Sequence, residues 1–137
     1  LPSMLRYLIL YAITVAIFFA IDILWIGVIA KNLYREKLGF ILSDKVNWAA
    51  AIIFYLIYIG GIIYFAVAPA IQAHSLSTAI MNGVLLGILC YATYDLTNMA
   101  TIAQWPLSIT IIDIIWGGFL TGSCATLSYL VSTKLPH

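Results

Sequence analysis

Hydrophobic residues run along this chain in four long blocks, broken by one charged segment and two short polar turns. Each block is long enough to cross a bilayer as an α-helix, which takes about 20 apolar residues. The pattern predicts spans over about residues 5–30, 48–68, 78–100 and 107–133, with ends good to about 2–4 residues. Pro69 is expected to close the second span, Ser77 to cap the third, and Pro106 to occupy the first position of the fourth. The segment KNLYREKLGFILSDKVN joins spans one and two. In it Leu33, Tyr34, Leu38, Ile41 and Leu42 are interspersed with charges, which predicts a short interfacial helix. The expected fold is an all-α integral membrane protein: a single domain over residues 1–137, a four-helix transmembrane bundle with that short helix between helices 1 and 2.

Composition agrees with this pattern. The 137 residues are 64% hydrophobic and 8% charged, where a soluble domain carries about 25% charged residues. A net charge of +1 argues against a nucleic-acid partner and leaves the lipid bilayer as the first expected partner. Cys90 and Cys124 lie in apolar runs at different depths, so no disulfide is expected between them. The first block is too long for a removable leader, contains Asp22 and lacks an A-x-A-like site before Lys31. It is expected to be a span, with Met4 the natural start.

Basic residues orient the chain. Lys31, Arg35, Lys37 and Lys45 fall between spans one and two, against Arg6 and Lys134 on the other side. The positive-inside rule then puts the first loop in the cytoplasm and both termini outside, in a multi-pass protein of the bacterial inner membrane.

Against this background three aspartates stand out: Asp22, Asp95 and Asp113, each inside a span. Intramembrane carboxylates are costly and by default functional. At the rise of an α-helix they lie about 12, 8 and 9 Å from the cytoplasmic ends of their spans. Asn47 starts span two on that side, and Asn98 lies one turn from Asp95. No Lys, Arg or His sits within the spans near this level, so a proton or a bound cation is expected to neutralise the carboxylates.

Asp22 with Trp25 and Asp113 with Trp116 repeat the pattern Asp-x-x-Trp, which places the two side chains on one helix face. Because the two spans run in opposite directions, Trp25 points toward the membrane surface as an interfacial residue, and Trp116 points deeper, where it walls a pocket. Tyr91, Asp95 and Asn98 share a face of span three with Gly83 and Gly87, a pairing that lets helices approach closely. Gly118 and Gly122 make a second small pair, and Asp113, Gly117, Thr121, Cys124 and Ser128 form a polar stripe on span four. Tyr55, Tyr58, Gly60 and Gly61 are the notable non-aliphatic positions of span two.

The stretches AIDILWIG, YREKLGFILSDKVNW, YATYDLTNMATIAQWP and IIDIIWGG resemble the bacterial membrane-protein family known as domain of unknown function 2177. The resemblance covers nearly the whole chain. It implies a small multi-span inner-membrane protein and supplies no reaction, cofactor or ligand. Asp22, Asn47, Trp48, Tyr94, Asp95, Asn98, Trp105, Pro106, Asp113 and Trp116 fall in the matching segments.

Three functional readings remain open. In the first, the carboxylates line a cavity that binds or transports a small molecule, lipid or cation. Asp95 is then the titrating group, Asp22 and Asp113 its partners, and Tyr91, Tyr94, Asn98, Trp25 and Trp116 the wall, with Asn47 nearby. Transport on four spans predicts a homodimer. In the second, a membrane enzyme uses the aspartates for acid–base chemistry on a lipid-soluble substrate, or holds a divalent metal with Asp22, Asp95 and Asp113. In the third, the aspartates lock the helices of a structural accessory subunit.

Overall fold

A computed structural model describes residues 3–136. In chain order the helices are α1 (Ser3–Ile29), the short α2 (Leu33–Leu38), α3 (Trp48–Ala73), α4 (Leu76–Thr101) and α5 (Leu107–Ser132). All but α2 are long and apolar enough to cross a membrane. The protein is an all-α four-span bundle, with α2 between the first two spans. The end that carries α2 is the proximal end below, and the opposite one the distal end.

Helix α5 is the centre. Its most apolar stretch is 56% buried, against 17–28% for the other spans. Helix α1 lays Leu10, Thr14, Phe18 and Asp22 inward at a strict spacing of four. Helix α4 does the same with Ala79, Gly83 and Gly87, and Asp95 follows eight residues on, past the half-buried Tyr91. Residues four apart lie one above the other on a helix, so each stripe is a seam, and each seam ends in an aspartate.

Small residues set how closely α4 meets α5. A Cβ at Gly83 would lie 2.8 Å from the Cβ of Ala125, and one at Gly87 would collide with the Gly117 carbonyl. The polar stripe of α5 is spent largely on its neighbours. Thr121 pairs with the Tyr58 hydroxyl at 2.7 Å, Ser128 meets the Thr14 hydroxyl at 2.9 Å, and Cys124 approaches the Thr14 carbonyl at 3.8 Å. Such interhelical bonds add about 0.6–2 kcal/mol each in a membrane and fix the register of the helices.

Helix α3 does not stop at Pro69. It widens to a π-helical turn over Ile63–Val67 and continues to Ala73. Proline has no N–H for the carbonyl four residues back, that of Phe65. The side-chain amide of Asn82 on α4 donates to that oxygen at 3.1 Å. The connection to α4 therefore shrinks to His74 and Ser75, and Ser75 rather than Ser77 caps α4 by accepting from the Thr78 N–H. Pro106 lies just outside α5, as its N-cap.

Candidate functional site

Asp95 and Asp113 face each other across the α4–α5 seam near its proximal end. The glycine contacts higher up bring the two helices close enough for this. Asp95 is fully buried, and among the described residues no hydrogen-bond donor reaches either of its oxygens. Its nearest ionisable neighbour is the other carboxyl.

Asp113 is better supported. The Tyr34 hydroxyl donates to it in a short hydrogen bond and accepts from the indole N–H of Trp25 at 3.0 Å. Tyr34 comes from α2, so α2 is more than a surface helix. Leu38 packs with Trp105 and Ile109, and Leu33, Tyr34 and Ile102 close the contact. Docked this way, α2 caps the proximal end while Lys31, Arg35, Lys37 and Lys45 stay exposed. Burial, and then the adjacent Asp113 carboxyl, raise the pKa of the Tyr34 phenol above its usual value near 10, which keeps it a donor.

Asp22 stands apart from this pair. Tyr55 on α3 donates to it at 3.3 Å, and Trp116 lies within side-chain reach. Trp25 and Trp116 stack with 4.5 Å between centroids. Trp25 is thus half-buried, with one face covered by its partner indole.

A pocket of about 460 Å³ opens between α3 and α4 and is lined by Phe54, Tyr58, Cys90, Tyr91, Tyr94 and Asp113. It exists because α3 meets α4 chiefly through its distal half, beyond Ile62, and the proximal halves splay. Tyr91 lies over Gly117, where a Cβ would strike its ring, and meets Tyr58 edge-on.

Of the residues singled out in the sequence, Tyr91, Tyr94 and Asp113 line the pocket, with Asp95 behind Asp113. Asn98 lies beside the Tyr94 hydroxyl. Trp25, Trp116 and Asp22 form an adjoining cluster. Asn47 belongs to neither group: it is exposed and caps α3, accepting from the Ala50 N–H at 3.1 Å, because an asparagine just ahead of a helix satisfies its own free N–H groups. The three aspartates do not converge, and among the described residues no group of three His, Cys, Asp or Glu is placed to hold a metal. Sequence reasoning missed Tyr34 as a site residue. Its signal was an aromatic hydroxyl in a segment otherwise read as surface.

No curated protein and no solved structure matches this chain. A family model described as "Predicted membrane protein (DUF2177)" matches residues 7–130, almost the entire length. That match covers all four spans, both aspartate–tryptophan motifs and α2: the chain belongs to the DUF2177 family of membrane proteins.

Proposed function

We propose that the pocket beside Asp113 binds an amphipathic small molecule arriving from the bilayer, and that an organic cation exchanges there for a proton held between Asp95 and Asp113. The observation that carries this is Asp95: fully buried, without a donor, against a second carboxyl that lines the pocket. An unpaired buried carboxylate costs several kcal/mol, so the pair needs a positive partner. One shared proton serves at rest, and a cation in the pocket serves when it is occupied.

The walls favour an organic cation over a small metal ion. Phe54, Tyr58, Tyr91 and Tyr94 offer aromatic surface, and a desolvated cation gains about 0.5–2 kcal/mol from such a ring. Two carboxylates alone make a poor cage for Mg²⁺, which wants six oxygens. The pocket's size falls in the range of about 300–1,000 Å³ typical of small-molecule sites. Its lateral opening suits a ligand already dissolved in lipid. We place α2 on the cytoplasmic side of a bacterial inner membrane, with both termini outside, because the exposed basic residues cluster at that end. Transport on so few spans calls for a second copy of the chain.

Tetraphenylphosphonium, a lipophilic cation, serves as the probe. Asp113→Asn should weaken its binding at least about tenfold, a loss of about 1.4 kcal/mol, whereas Asp22→Asn should change it little. Equal affinity for wild type and Asp113→Asn overturns the proposal.

A further inference from the structure

The five acidic residues of the chain are Asp22, Glu36, Asp44, Asp95 and Asp113, and all belong to the proximal half. The distal end therefore carries Arg6 with no acidic side chain to meet it. Arg6 Nη2 donates to the Ser132 carbonyl at 3.1 Å, an ordinary use of a cation at a helix C-terminus. Its Nε is buried and meets no acceptor among the described residues. The guanidinium is thus only partly satisfied.

Beside it is a second pocket, of about 320 Å³, lined by Arg6, Ile71, His74, Tyr129, Ser132 and Thr133. Three helices meet here: α1 brings Arg6, α3 brings Ile71 and its C-cap His74, and α5 brings the rest. The lining offers donors from a guanidinium and an imidazole and holds no carboxylate, while the Ser132 and Thr133 hydroxyls donate to the Tyr129 and Leu130 carbonyls. His74 also sits in a left-handed backbone conformation, φ 50°. That backbone region accepts glycine, asparagine and histidine more readily than other residues.

We propose that this distal pocket is an anion site, taking a phosphate-bearing group with Arg6 as the charge partner and His74 as a further donor. A guanidinium suits a phosphate through paired N–H bonds. The phosphate has two possible sources: a phospholipid headgroup at the membrane surface, or a free anion from the aqueous side. The site is separate from the carboxylate pocket and does not depend on its proposed role.

The test uses the purified full chain in neutral detergent. It is titrated separately with phosphatidylglycerol, with inorganic phosphate and with diacylglycerol, and thermal stability is read at each concentration. Phosphatidylglycerol should raise the melting temperature, and diacylglycerol should not. Arg6→Gln should weaken the apparent affinity by at least about tenfold. Because Arg6→Gln also loses its bond to Ser132 and is at risk of misfolding, His74→Asn is the second variant. Asparagine tolerates the left-handed backbone, so this variant should fold normally and still bind the anion more weakly. Lys31→Gln with Arg35→Gln, at the other end, should leave the Arg6-dependent part of the shift intact. A shift with phosphatidylglycerol alone identifies a headgroup site, and an equal shift with inorganic phosphate identifies a free-anion site. No shift with either, or the same shift in wild type, Arg6→Gln and His74→Asn, overturns the proposal.

Discussion

Trp25 and Trp116 stack nearly parallel, 12° between planes, on helices that run in opposite directions. Each follows an aspartate by three residues. Trp25 is therefore displaced toward the proximal end from Asp22, and Trp116 is displaced away from it relative to Asp113. With the two indoles level, Asp113 lies nearer the proximal end than Asp22 by about 9 Å, from the helical rise. The stack thus separates the aspartates: Asp113 joins Asp95 and Tyr34, while Asp22 joins Tyr55 and Trp116.

The stack should be measurable as a pairwise coupling. Trp25→Leu and Trp116→Leu, alone and together, should give a double-mutant-cycle coupling of about 0.5–1.5 kcal/mol in unfolding. Additive losses would mean that the two rings do not hold each other in place.

The glycines of the α4–α5 seam should differ sharply from those elsewhere. Gly87→Ala puts a methyl group into the Gly117 carbonyl and should cost about 1–3 kcal/mol or more, the range for overpacking. Gly61→Ala meets nothing within 4 Å and should be neutral or stabilising by about 0.5–1 kcal/mol, since alanine is the better helix former. Thermal unfolding of both variants in one detergent makes the comparison.

Pro69 and Asn82 should be coupled through a carbonyl neither of them owns. Asn82→Leu removes the donor to the Phe65 oxygen and should destabilise by about 0.5–1.5 kcal/mol. Adding Pro69→Ala supplies an N–H for the same oxygen and should recover most of that loss. If the second change deepens the loss, the assignment of that bond is wrong.

Tyr34 should hold α2 down. Tyr34→Phe breaks the bridge from Trp25 to Asp113 and should weaken α2 docking by about 1–3 kcal/mol. The docked phenol has a pKa raised by burial and by Asp113 above that of a solvated tyrosine, near 10. Docking is therefore at full strength below about pH 10 and weakens as the pH rises above it, when the undocked phenol ionises. Hydrogen exchange across residues 32–42 should accelerate above that pH in wild type. In Tyr34→Phe it should be fast already and lack that step.

The sequence carried the architecture because each span is a long apolar block, and a block of that length has few alternatives in a bilayer. It also carried the inward face of α4, since Asp95 falls at multiples of four residues from Gly83 and Gly87, which pack. It did not carry the course of α3 past Pro69. That depends on a π-helical turn and on Asn82 of another helix, a rescue invisible to a local reading. Depth along the helices put the three aspartates at a similar level. Which of them meet depends on rotation and on the tryptophan stack, and these come from packing. Asn47 shares the aspartates' side of the membrane, and only the folded helix shows the cap geometry that occupies it instead.

Proton release on ligand binding is the most direct measurement of the central claim. Tetraphenylphosphonium is added to wild type, Asp95→Asn and Asp113→Asn in weakly buffered detergent, and the protons set free per bound cation are counted. Exchange at the Asp95–Asp113 pair predicts close to one proton per cation for wild type, affinity that falls as the pH is lowered, and release abolished in both variants. Binding that releases no proton, or releases the same amount from the variants as from wild type, would contradict it.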